Sequence, residues 1–181
     1  MKIYFVRHIQ TLDDANGMTQ SDDSSVSIDA FGLFKLKEIR KIKVDKVLTS
    51  PLLRAVQTAN LINPEYKIIS ELAEVKQPKL LEKMTHKERK VWWNKHSKSR
   101  IDPDWFFNDS ESFNDIKKRV RKLFKKLMNL KSKYKSIMVV THANILKHLL
   151  LYMIKKDYSQ KDFYLIYPFC WDNLSVIEMK I

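Results

Sequence analysis

Glycine is almost missing from this chain: Gly17 and Gly32 are the only two in 181 residues. That scarcity excludes the glycine-rich loops whose backbone N–H groups cradle a phosphate, so any anion bound here must be held by side chains. Cysteine is scarcer still. Cys170 stands alone, unable to close an internal disulfide and without a metal-ligand companion. It reads as a small buried apolar residue in a protein expected in a reducing, cytoplasmic compartment. No apolar run approaches the ~18 residues of a membrane span, so none is expected. The N-terminus enters Lys2-Ile3-Tyr4-Phe5-Val6 directly, with no sign of a secretory leader. Acidic residues are outnumbered: 21 Asp and Glu face 34 Lys and Arg, a net charge of +13. Such a balance draws polyanions, whether phosphorylated metabolites, nucleic acid or anionic membrane, without choosing among them.

What is present organises around two short runs. Ile3-Tyr4-Phe5-Val6 is apolar, β-branched and aromatic, as a strand buried on both faces should be, and it stops at Arg7-His8. Ile137-Met138-Val139-Val140 repeats that grammar and stops at Thr141-His142. As central strands of one parallel sheet, the two runs would deliver both histidines to the carboxyl edge, where open α/β sheets build their ligand sites.

The remaining segments alternate around these. Residues 12–25, with Asp13, Asp14, Asp22 and Asp23, read as a solvated loop lacking a ligand set spaced for a metal. A helix is predicted over 29–41, with Asp29 as cap and Leu33, Leu36 and Ile39 on its buried side. Residues 45–49 form a second strand. Ser50-Pro51 then suits a helix start, Ser50 capping and Pro51 in the first turn, which places Arg54 at an anion-favouring helix N-terminus. Residues 66–69 read as a third strand leading to Leu72-Ala73-Glu74. Residues 76–110 lose the alternation and hold Trp92, Trp93, Trp105, Phe106 and Phe107 among basic residues; they read as an insertion or lid with a small core of its own, within a single domain spanning 1–181. The clearest helix covers 109–135, with Phe113, Ile116, Val120, Leu123, Leu127 and Leu130 on one face and a basic, solvated face opposite. A last helix follows His142, and 174–177 read as a closing edge strand. His86, His96 and His148 form no metal-spaced set.

Taken together, these segments resemble the histidine phosphatase superfamily, the phosphoglycerate-mutase-like proteins. The family's Arg-His-Gly-x-Thr stands here as Arg7-His8-Ile9-Gln10-Thr11. Its Ser-Pro-x-x-Arg-Ala-x-x-Thr-Ala is matched in full by residues 50–59. Leu72-Ala73-Glu74 matches its Leu-x-Glu, Glu111-Ser112 its Glu-Ser, and His142-Ala143 its late His-Gly. The resemblance runs nearly end to end and implies a mainly parallel sheet flanked by helices on both faces, a three-layer α/β/α arrangement. It further implies a metal-independent phosphomonoester hydrolase needing no cofactor. His8 would be the nucleophile, Glu74 the general acid and then base, and His142 both a catalytic residue and, with Arg7 and Arg54, a phosphate ligand. The partner implied is an anionic phosphorylated small molecule or phosphoprotein, with nucleic acid the less favoured choice. Ile9 and Ala143 depart from two family glycines. A β-branched residue at a backbone needing positive φ would be strained, and at a close approach it would crowd the phosphate. A weak or inactive descendant that only binds phospholigands or nucleic acid is therefore an alternative reading. A mutase is another, disfavoured because the segment after Thr11 lacks the asparagine and arginine pattern expected of mutases.

Overall fold

The two histidine-terminated runs lie side by side in the computed structural model, which describes residues 1–96, 101–166 and 171–181. Cys170, expected to be buried, lies outside the described residues. β1 (Lys2–Arg7) pairs in parallel with β4 (Ser136–Thr141), Phe5 opposite Val139 and Arg7 opposite Thr141. With β2 (Lys46–Thr49), β3 (Tyr66–Ile68) and β5 (Val176–Lys180) they form a sheet of order β3-β2-β4-β1-β5. β5 runs antiparallel along the β1 edge, the other pairings being parallel. The edge strand expected near the C-terminus is therefore present, beginning two residues later than predicted.

Among the described residues seven α-helices accompany the sheet: α1 (Leu12–Ala15), α2 (Ala30–Lys41), α3 (Leu53–Ile62), α4 (His86–Lys95), α5 (Phe113–Asn129), α6 (Ala143–Ile154) and α7 (Gln160–Ile166). The pleat decides which helices cover which face. Ile3, Phe5, Leu48, Ile137 and Val139 point one way, against Val120 and Leu123 of α5 and Ile145 and Leu149 of α6. Val6, Val47, Met138 and Val140 point the other way, against Leu36 and Ile39 of α2 and Ala55 and Ala59 of α3. The expected three-layer α/β/α architecture follows. No helix among the described residues is long and apolar enough to cross a membrane.

Several local expectations are corrected. α2 is capped by Asp29, whose carboxylate accepts from Gly32 N at 2.6 Å, but Leu33 is 48% exposed. Residues three apart drift by about 60° around a helix at each step, so Leu33, Leu36 and Ile39 do not share one narrow stripe. α3 begins at Leu53, without a side-chain cap, and Pro51 precedes it; Ser50 is turned to another task. Residues 12–25 are not a solvated loop. Thr11 and Asp14 form a capping box on α1, and Asp13, 8% exposed, accepts from Lys83 Nζ at 2.6 Å and from Ser24. α5 starts at Phe113 rather than 109, because Ser112 accepts from Asp115 N and ends the chain's extended approach. Its basic side is not uniformly solvated either, since Arg119, Lys122 and Lys126 turn onto the loop after β3. The aromatics of 92–107 pack on one another as expected: Trp92 stacks on His96 at 3.8 Å and meets Phe107 edge-on at 5.3 Å.

Glu71 fastens that loop to α5. Burial alone would raise its pKa, yet hydrogen bonds from Lys126 and Lys122 hold it at about 2. The folded pKa lies below the unfolded value, so this stabilisation is present at neutral pH and is lost as pH falls through the range from 4.5 toward 2. Glu71→Gln is expected to lower stability by about 2 kcal/mol at pH 7. Urea denaturation checks this, and the wild-type advantage should vanish in acid.

Candidate active site

Each strand end contributes one part of the site. His8 follows β1 and extends its ladder by one bond, its N–H donating to Thr141 O at 3.0 Å. Its carbonyl accepts from Asn173 Nδ2 at 2.9 Å. Asn173 is placed there by Leu174, a buried residue held in the left-handed region at φ 58°. His8 Nδ1 lies 2.6 Å from Ile9 O. A carbonyl only accepts, so Nδ1 carries the proton and Nε2 keeps a free lone pair.

His142 sits at the N-cap position of α6, its ring centroid 5.0 Å from that of His8. Its Nε2 is 2.7 Å from Ser50 Oγ. That oxygen already accepts from Leu52 N at 3.2 Å, so the serine proton is available for Nε2. The second proton-bearing position, Nδ1, is buried without a partner among the described residues. Neither imidazole is in a place where it can hold a charge. Burial first, and then the Arg54 guanidinium, push both His8 and His142 well below the usual histidine range.

The two guanidiniums complete the cluster. Arg54, in the first turn of α3, is 3% exposed, and burial depresses its pKa. It donates through Nη1 to Ser21 O at 2.9 Å, and its Nε has no partner. Arg7 donates through Nη1 to Trp171 O, and its Nε is likewise buried and unpartnered. Among the described residues no carboxylate lies within ion-pairing distance of either. Both line a cavity of about 720 Å³ with Glu74, Ala143, Asn144 and Lys147. Glu74 is held by the start of α6: Oε1 accepts from Ile145 N at 2.9 Å and Val75 N at 2.8 Å, while Oε2 has one longer contact, 3.2 Å to Asn144 N. His8 and His142 are almost wholly covered, at 2% and 0% exposure, and neither forms part of that cavity's wall.

All five residues singled out from the sequence thus come from strand ends at one edge of the sheet. Three supporting residues were missed. Ser50, expected to cap a helix, instead addresses His142. Thr58 accepts from Ile9 N at 2.9 Å and donates to Arg54 O at 2.6 Å, tying the His8 loop to α3. Its place in the Ser-Pro-x-x-Arg motif was the available signal. Arg119, expected on a solvated face, grips Glu111 with Nε and Nη2 at 2.7 and 2.6 Å and caps the carbonyls of Ala73 and Glu74. It is a positioning residue for the turn that carries Glu74, and no periodicity announces it. The feared strain at Ile9 is absent: Ile9 is not among the residues with positive φ, and its side chain, 1% exposed, packs into the core below α2 and α3.

A family model for the histidine phosphatase superfamily (branch 1) matches residues 3–181. No curated protein matches the sequence. Among solved structures, the α-ribazole phosphatase from Shigella flexneri is similar over 100% of this chain and 91% of that one, with 21% identity and a TM-score of 0.76. A mycobacterial glucosyl-3-phosphoglycerate phosphatase is similar over 98% and 88%, with 18% identity and a TM-score of 0.77. A phosphoserine phosphatase mutant from Entamoeba histolytica, in complex with phosphoserine, is similar over 98% and 89%, with 21% identity and a TM-score of 0.76. At these identities the likeness speaks for the fold.

The tautomer of His8 is directly measurable. Imidazole ¹⁵N shifts should show His8 neutral with its proton on Nδ1, and still neutral at about pH 5.5, where an ordinary histidine is mostly charged. Arg54→Ala removes a neighbouring positive charge and should move the His8 pKa upward. A proton on Nε2 at neutral pH would contradict the arrangement.

Proposed function

The chain belongs to the histidine phosphatase superfamily, and from that premise we propose that it is a phosphomonoester hydrolase working through a phosphohistidine on His8. The observation that carries the reading is the free Nε2 lone pair of His8 beside the guanidiniums of Arg7 and Arg54, neither of which has a carboxylate within ion-pairing distance among the described residues. A phosphomonoester brings nearly two negative charges, which repel a nucleophile and welcome donors. Arg7 Nε, Arg54 Nε and His142 Nδ1 are three buried donors free to take its non-bridging oxygens. Donors of this kind, fixed before the reaction in a dry site, are each worth about 3 kcal/mol at the transition state.

His8 Nε2 attacks phosphorus in line with the leaving oxygen, and the N–P bond forms as the ester P–O bond breaks. The departing alkoxide takes a proton from Glu74, whose Oε2 is the less encumbered oxygen. A water then gives its proton back to Glu74 and attacks the phosphohistidine, releasing inorganic phosphate and restoring neutral His8. Ile9 O fixes the Nδ1 proton throughout, so the ring turns the same nitrogen toward phosphorus in both steps. Guanidiniums supply the positive charge this scheme needs, and activity is expected to survive chelators.

Rapid-quench labelling with a ³²P-phosphomonoester should trap a phosphoenzyme that is labile in acid and stable in base. His8→Ala should abolish it and cut turnover roughly 10⁴-fold, and Glu74→Gln should cut turnover by about 10²–10⁴. An acid-stable phosphoenzyme, undiminished turnover in His8→Ala, or loss of activity in EDTA would overturn the reading.

A further inference from the structure

A second cavity, of about 850 Å³, adjoins the one that holds the arginines. Polar residues contribute to its walls, and five aromatic side chains reach it from separate elements: Trp93 on α4, Trp105 in the following loop, Phe113 on α5, and Phe163 and Tyr164 on α7. The two cavities share a strip of wall that includes Val75, His86, Arg89 and Asn144. Val75 and Asn144 supply two of the three N–H groups that hold Glu74. A group attached to the leaving oxygen, protonated at Glu74, therefore has this strip beside it and the aromatic chamber beyond.

We infer that the alcohol half of the substrate carries a bulky aromatic group, which lodges among Trp93, Trp105, Phe113, Phe163 and Tyr164. The inference rests on the phosphatase reading above and names the substrate class for that same site. The chamber has the size of small-molecule pockets, roughly 300–1,000 Å³, and flat rings meeting flat rings edge-on or offset fill such walls better than a polyol does. At the threshold stands Arg89, whose guanidinium has no hydrogen-bond or ion-pair partner among the described residues; it can lie over the face of an incoming ring. A small hydrophilic phosphomonoester gains nothing from any of this. The net charge of +13 would draw both kinds of ester equally, so selection falls to the chamber.

The test compares 2-(2-naphthyl)ethyl phosphate with ethyl phosphate on the full chain. Both depart as primary alkoxides of similar basicity, so the ratio of their kcat/KM values reports the alcohol half and not leaving-group chemistry. A ratio of about 100 in favour of the naphthyl ester is expected from the apolar area of a bicyclic ring. Trp93→Ala and, separately, Tyr164→Ala should each lower that ratio about tenfold; both residues lie at least partly at the surface, and two variants guard against one misfolding. Binding is read independently by tryptophan fluorescence with the two non-hydrolysable phosphonates, the naphthyl one expected at least about tenfold tighter. Equal kcat/KM for the two esters, or a ratio untouched by either substitution, would overturn the aromatic chamber while leaving the hydrolase reading intact. Turnover of neither ester, with no phosphoenzyme, would overturn the hydrolase reading, and equal binding of the two phosphonates would then overturn the chamber as well.

Discussion

The site depends on a charge kept where water cannot reach it. Arg54 is 3% exposed, bonded to a backbone carbonyl, and opposed by no carboxylate in contact. Burying an ion without its counterion costs several kcal/mol, and proteins tolerate that mainly where the vacancy has a use. Ala55 and Ala59 let α3 lie close on the sheet, so that its first turn reaches the strand ends. The field of that guanidinium is the main charge acting on both histidines and, after burial, the chief reason they stay neutral. On the proposed reading a phosphate dianion relieves the mutual repulsion of Arg7 and Arg54, and the His8 imidazole already has its lone pair free.

The sheet arranges these parts in the order of its strands. Across β3-β2-β4-β1 the ends present Glu74, then Ser50 and Arg54, then His142, then Arg7 and His8. Backbone ladders continue past the strands into the site, Ser50 N donating to Val140 O and His8 N to Thr141 O, and the Thr141 side chain adds a bond from Oγ1 to Leu72 O at 2.9 Å. The loops that carry these residues are thus pinned to one another by hydrogen bonds that continue those of the sheet, which is how residues so remote in sequence keep their spacing.

The sheet, and the arrival of the five candidate residues at its carboxyl edge, were legible because each leaves a local mark. A buried parallel strand is a short apolar run, and the functional residue follows it directly. What escaped notice depends on partners distant in sequence. Ser50 before proline has the local chemistry of a cap, and only the arrival of His142 from β4 claims its hydroxyl instead. Asp13 looks solvated until Lys83, seventy residues on, is brought to it. Arg119 is one cation among many on α5, distinguished only by the Glu111 carboxylate and the three carbonyls that converge on it. Leu33 differs for another reason: a strict three-residue spacing drifts around a helix, which carries Leu33 off the stripe that buries Leu36 and Ile39.

A β-branched residue stands after His8 where the family pattern has glycine, and this bears on whether the proposed chemistry is retained. What the site asks of residue 9 is its backbone: the carbonyl that fixes the His8 tautomer and the N–H that engages Thr58. Both are supplied at a backbone any L-residue can adopt, with the side chain on the far side, sealed among Val6, Leu36 and Val140. Isoleucine there adds buried apolar surface beneath His8. Ala143, as the first residue of α6, adds one methyl group to the cavity wall and keeps the N-terminal turn whose next two N–H groups hold Glu74. The chain's poverty in glycine is therefore compatible with the proposed phosphate site, because side-chain guanidiniums and imidazoles stand where other folds use glycine-rich backbone.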